Sequence, residues 1–241
     1  RSGAGTGNVE PGQAYALSGG KQEHNAETGR GARTERKKNM SHPDFFDAVP
    51  RISLYDPLAE FLGATKDGIL QYGYFDAVRL AGHSCPTVAA AYWSTFKALA
   101  CLYPGAMPVR GEIRVEFSQD SASGVTGVIA NVVSMLTGAM SDNGFKGIGG
   151  RFDRRRKLFF AVEMPGEMRF TRLDTGRAVQ TAANLQHVPA SPRLPGLMAN
   201  CLSGTATAAE TAEFRQLWQA RVRSILLEHG DDPDVFLVTA A

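Results

Sequence analysis

The run CPTVAAAYWSTFKALACLYPG, Cys85 to Gly105, constrains the fold more than any other stretch of the chain. Proline is favoured at the first position of a helix and Pro-Gly stops one, so the segment predicts a helix over Pro86–Tyr103 with Cys85 at its N-cap. Val88, Tyr92, Phe96, Leu99 and Tyr103 fall on one face at helical spacing. On its N-terminal side, Leu70–Gly82 is aromatic and reads as a strand or helix followed by a turn. Further upstream, Asp56–Ala64 predicts a short helix capped by Asp56, with Pro57 first and Gly63 near its end.

Beyond the central helix, Gly111–Phe117 alternates: Ile113, Val115 and Phe117 on one side, Glu112, Arg114 and Glu116 on the other, as in a half-buried strand. Ser123–Ala139 is small and apolar almost all round, the pattern of a second buried helix. After the loop MSDNGFKGIGG, the segments RRKLFFAVE and EMRFTRLD read as two strands joined by Met-Pro-Gly. Thr175–Ser203 contains Pro189, Pro192 and Pro195 and reads as loop. An amphipathic helix over 207–229 closes the reading, with Thr207 and Glu210 at capping-box spacing and Phe214, Leu217, Trp218, Val222, Ile225 and Leu226 as its apolar stripe. Interleaved helices and a few strands place the chain among α+β or α/β folds, here a small mixed or antiparallel sheet packed with helices.

Residues 1–39 differ in composition, being rich in Gly, Thr, Asn and charge with almost no large apolar side chain. Such a stretch buries too little surface to offset the entropy of ordering, so the expected globular domain is 40–241, with Met40 as its natural start. The whole chain of 241 residues is 43% hydrophobic and 21% charged, with a formal net charge of +2. That charge is too small to argue for nucleic acid or an anionic membrane. Three widely spaced cysteines, Cys85, Cys101 and Cys201, make a poor disulfide framework and point to a reducing, cytoplasmic setting.

The chemistry concentrates at GHSCP, Gly82–Pro86. Free N–H groups and the positive end of the helix dipole favour an anion beside the first turn, which suits a cysteine there to nucleophilic or metal-ligand duty. His83, two residues before, can coordinate the same ion or act as a base, and Gly82 lets the backbone turn both side chains toward one spot. The alternative is a small buried hydrophobe at Cys85 beside a hydrogen-bonded loop histidine. Two ligands also fall short of the three or four that zinc takes from protein. Elsewhere, Lys146 among Gly144, Gly147, Gly149 and Gly150 has the composition of a loop that cradles an anion, with a tight turn as the simpler reading. Arg154–Lys157 reads as a solvated strand entry.

With GHSCP opening a small-residue helix, the chain resembles the FmdE-like family, which takes its name from a component of formylmethanofuran dehydrogenase. The similarity extends through Arg110–Phe117, Ser123–Ile129, Leu136–Gly138 and Asn143–Phe152, and covers about 72–163. It implies an α+β domain that tends to dimerise and to hold a metal, often zinc, at the His/Cys turn. The family's second cysteine and its aspartate fall at Ser123 and Thr126, or in the other register at Val128 and Asn131, and Ala139 replaces a further cysteine. No cysteine pair follows Cys201, so the C-terminal zinc ribbon of some members is not expected. Only His83 and Cys85 carry over by identity. Asp120, Ser121, Ser123, His187 or a dimer mate are the groups available to complete the site, around zinc, or around iron or a haem.

Three functions follow as expectations. The first is a metal-binding protein with an open position for a small ligand. The second is a metal-independent enzyme with Cys85 as nucleophile and His83 as base. The third is a non-catalytic assembly component of a larger redox complex.

Overall fold

Apolar and small residues in the first half of one helix, flanked by short strands, set the layout. The computed structural model describes residues 42–241, so the reading of 1–39 lies outside the described residues. The elements run α1 (Phe45–Ala48), β1 (Ile52–Tyr55), α2 (Pro57–Phe61), β2 (Ile69–Tyr72), α3 (Tyr74–Ala81), α4 (Pro86–Leu102), β3 (Ile113–Phe117), α5 (Thr126–Thr137), β4 (Leu158–Phe159), β5 (Met168–Arg172), β6 (Ala178–Ala183), α6 (Leu194–Ser203), α7 (Ala208–Arg223) and β7 (Phe236–Ala240). The fold is α+β, with a five-stranded mixed sheet in the order β4-β3-β5-β6-β7 and a separate antiparallel pair, β1-β2. Among these strands only β3 and β4 run parallel. The described residues fall within one compact unit, Ser41–Ala241.

Helix α4 is the axis of the core. Every residue from Val88 to Thr95 is buried, so the helix is covered nearly all round rather than on the single face its spacing predicts. The reason is its position: α3, α5 and α7 contact it as well as β5, β6 and β7. Ala89, Ala90 and Ala91 allow that close approach, and its polar groups are satisfied internally. Tyr92 donates its hydroxyl to the Pro50 carbonyl at 2.7 Å, and Thr95 donates to the Ala91 carbonyl at 2.7 Å.

Several expectations change. Thr175–Ser203 is not loop: it holds β6, a 3-10 turn (Leu185–His187) and α6. Its prolines sit outside β6, and Pro195 occupies the first turn of α6, where a missing N–H costs nothing. The segment after Arg155 pairs only through Leu158 and Phe159, because Ala161 turns to φ +55° and ends the strand. Beyond the α7 capping box, the predicted 207–229 helix changes at Ser224–Glu228 into a π-helical turn. Strand β7, unread in the sequence, closes the sheet against β6. Glu116, expected on an exposed face, is buried and takes two hydrogen bonds from Arg169 directly across on β5, at 2.7 and 2.9 Å.

Arg154 is the clearest correction. It is only 5% exposed and donates to Asp56 at 2.6 Å, and Arg110 donates to the other carboxylate oxygen at 2.8 Å. Asp56 itself caps α2, accepting from the amides of Leu58 and Ala59. Arg110 also donates twice to the Met135 carbonyl near the C-terminal end of α5, where the helix dipole is negative. Burial alone would raise the Asp56 pKa, but the Arg110 hydrogen bond and the Arg154 charge outweigh it and hold the carboxyl below its ordinary range. Gly111, at φ +89°, leaves room for this guanidinium: a Cβ there would lie 1.7 Å from Arg154 Nη1.

Candidate functional site

Helix α3 ends on Gly82, whose φ of +76° is the left-handed conformation that glycine adopts freely, and its N–H donates to the Val78 carbonyl at 2.8 Å. The chain then reverses through His83 and Ser84 and enters α4 at Cys85. Pro86 stands at the first helical position, and Cys85 Sγ accepts from the Val88 amide at 3.5 Å, as an N-cap side chain does. The predicted N-cap is therefore correct to the residue.

Ser84 pins this turn from both sides. Its hydroxyl lies 3.0 Å from the Tyr74 hydroxyl and donates to Gln219 Oε1 at 2.9 Å. Its carbonyl accepts from Trp218 Nε1 at 2.9 Å and from the Gln219 amide at 3.3 Å. Tyr74 is fully buried; burial drives its pKa well above the ordinary value, so its hydroxyl stays protonated. Four contacts on one serine fix the backbone between the two candidate donors.

His83 is exposed, with Nδ1 2.9 Å from the Ala81 carbonyl. A carbonyl only accepts, so Nδ1 carries a proton, and in the neutral ring that tautomer puts the lone pair on Nε2. Cys85 is half-buried and borders the core. All three cysteines are free thiols, and Cys101, exposed on α4, lies outside the core.

The remaining predicted residues lie on other elements, with Ser121 lining a cavity that Leu80 of α3 also lines. Asp120, Ser121 and Ser123 occupy the β3–α5 loop. Asp120 Oδ1 accepts from the Ala122 amide at 2.9 Å, so this carboxylate shapes its own loop. Ser121 lines a cavity of about 520 Å³ together with Asn131 and Ser134 of α5, and Ser123 lines another of about 280 Å³. His187 is exposed at the end of the 3-10 turn, where the Asn184 amide reaches its Nε2 at 3.3 Å. Among the described residues no three His, Cys, Asp or Glu side chains gather closely enough to hold a metal ion, so neither Asp120 nor His187 joins His83 and Cys85 in such a group. Lys146 is exposed two residues before a tight turn in which Ile148 and Arg151 exchange backbone hydrogen bonds at 2.9 and 3.0 Å. The Gly144 amide likewise donates to a carbonyl, that of Ser141, at 3.2 Å.

Sequence reasoning missed the Ser84 contacts, since Trp218 and Gln219 lie 134 and 135 positions away. It also missed Asn131 as a lining side chain of the larger cavity, although the family register had marked that position. Among the described residues no helix is long and apolar enough to cross a membrane. No family model and no curated protein matches the chain.

Proposed function

We propose that the protein binds a transition-metal ion, zinc before iron, with His83 Nε2 and Cys85 Sγ as the two donors that one chain supplies. The observation that carries this reading is the His83 Nδ1 bond to the Ala81 carbonyl. Metal-ligating histidines nearly always donate their other ring N–H to a carbonyl or carboxylate, which fixes the tautomer and orients the ring. Imidazole nitrogen and thiolate sulfur are the ligand types zinc prefers. By type the pair fits zinc; by number it is half a site.

The other positions are then filled from outside the described residues. A second copy presenting the same turn completes a four-ligand set of two histidines and two cysteines, and a small ligand leaves the ion open for chemistry. The likeness of Gly82–Pro86 to the His/Cys turn of the FmdE-like family supports the same assignment, and with it a homodimer.

Elemental analysis of the purified chain beside the His83→Ala/Cys85→Ala double variant tests the proposal. The wild type retains zinc, at about one ion per two chains if the dimer completes the site, and the variant retains none. Wild-type protein that stays metal-free after incubation with zinc overturns it. If that metal-free protein also shows fast, His83-dependent alkylation of Cys85, the nucleophile reading takes its place.

A further inference from the structure

A groove of about 390 Å³ runs past Ser84 between α1, α3 and α7, within the size range of small-molecule sites. Its walls are aromatic. On one side the His42 ring lies 4.3 Å from that of Phe75, centroid to centroid. On the other, Phe214 and Trp218 are 5.7 Å apart on one face of α7. The Trp218 indole N–H is spent on the Ser84 carbonyl, so the ring is held in one orientation with no polar atom left for a groove ligand. Val78 contributes to the apolar lining.

Arg215 is the one permanently charged side chain that lines the groove. Glu213, two positions away, is already paired with Arg193, and among the described residues no carboxylate is bridged to Arg215. An exposed guanidinium at the rim of a groove whose ring pairs are tilted by 44° and 42° suits one ligand chemistry: a flat aromatic ring against the walls and a carboxylate for the fork of N–H donors. We infer that the groove binds a small planar aromatic carboxylate, its ring against Phe75, Phe214 and Trp218 and its carboxylate on Arg215. Because the groove shares Ser84 with the His83–Cys85 turn, such a ligand sits beside the proposed metal donors. The inference itself does not depend on a metal being bound.

The probe is 2-naphthoate, titrated into the full chain by calorimetry and by tryptophan emission, to which Trp93 and Trp218 both contribute. Saturable binding is expected, about tenfold weaker for the neutral isostere 2-naphthylmethanol and for Arg215→Gln, as the loss of one charge-assisted contact predicts. Phe214→Ala, checked for folding by circular dichroism, weakens both probes together. The His83→Ala/Cys85→Ala variant binds naphthoate as the wild type does, so failure of the metal reading and failure of this one are told apart. No saturation at millimolar probe overturns the inference. So does equal binding of the two probes, or naphthoate affinity unchanged in both Arg215→Gln and Phe214→Ala.

Discussion

The Asp56 cluster and the His83–Cys85 turn are both built at helix N-termini, and they use their polar groups in opposite ways. Asp56 is 3% exposed, and its two oxygens take two amides and two guanidinium groups. Nothing on that carboxylate is left for a ligand. At the turn the consumed groups belong to Ser84 and to His83 Nδ1, and they hold the backbone still. Both candidate donors are electron-pair donors: Nε2 has no partner among the described residues, and the half-buried Cys85 thiol accepts from the Val88 amide at 3.5 Å. A charge cluster that ties α2, α5 and the approach to β3 together is scaffolding; the turn is held through Ser84 instead, and the proposed metal donors flank that serine.

Substitutions separate the two regions by what they cost. The largest effect is expected from Asp56→Ala, which leaves two arginines without their counter-charge and costs about 3–5 kcal/mol of unfolding free energy in denaturant titrations. Metal content per folded chain stays as in the wild type. Next is Gly111→Ala, which puts a Cβ on Arg154 Nη1 at a positive φ; a loss of about 3 kcal/mol is expected, read as a lower thermal midpoint. Ser84→Ala strips a partner from the buried Tyr74 hydroxyl and costs about 1–3 kcal/mol, and it also weakens metal retention because the turn loosens.

The pH dependence of stability reports on two buried carboxylates, Asp56 in the cluster and Glu116 on β3. Asp56 and Glu116 both titrate lower in the folded chain than in the unfolded one, Glu116 chiefly through its Arg169 hydrogen bonds. Their stabilisation is therefore complete above about pH 5, and it is lost as pH falls below the unfolded carboxylate range near 4 and through the depressed folded values. Urea midpoints between pH 7 and pH 3 check this, and Asp56→Asn flattens the acid limb. The smallest stability effect belongs to His83→Ala, within about 0.5 kcal/mol, since the ring is exposed. Under the proposed metal reading, zinc is lost in that variant and retained in Asp56→Ala, and elemental analysis of the two is the sharpest form of the contrast.

Local rules read well wherever a single turn or cap decides the backbone. Pro86 after Cys85, Pro57 after Asp56, and Thr207 with Glu210 all mark helix starts at the residues observed, because capping joins groups two or three positions apart. Reading failed where the partner is distant. Arg154 looks like one more solvated cation among Arg154–Lys157 until Asp56, 98 positions away, is placed against it. Strand β6, with its alternating Val179 and Thr181, was hidden by the prolines that follow, and β7 exists as a strand because β6 offers it an edge.

The candidate site divides along the same line. Sequence alone determined that Cys85 caps a long apolar helix and that His83 stands just before it, since proline restricts the backbone and glycine frees it locally. Only the tertiary structure decided that Ser84 anchors the turn to α3 and α7 and that an aromatic groove lies beside it. Those are facts about which side chains meet across the core, and they depend on how helices and sheet close around α4, which no short window of residues encodes.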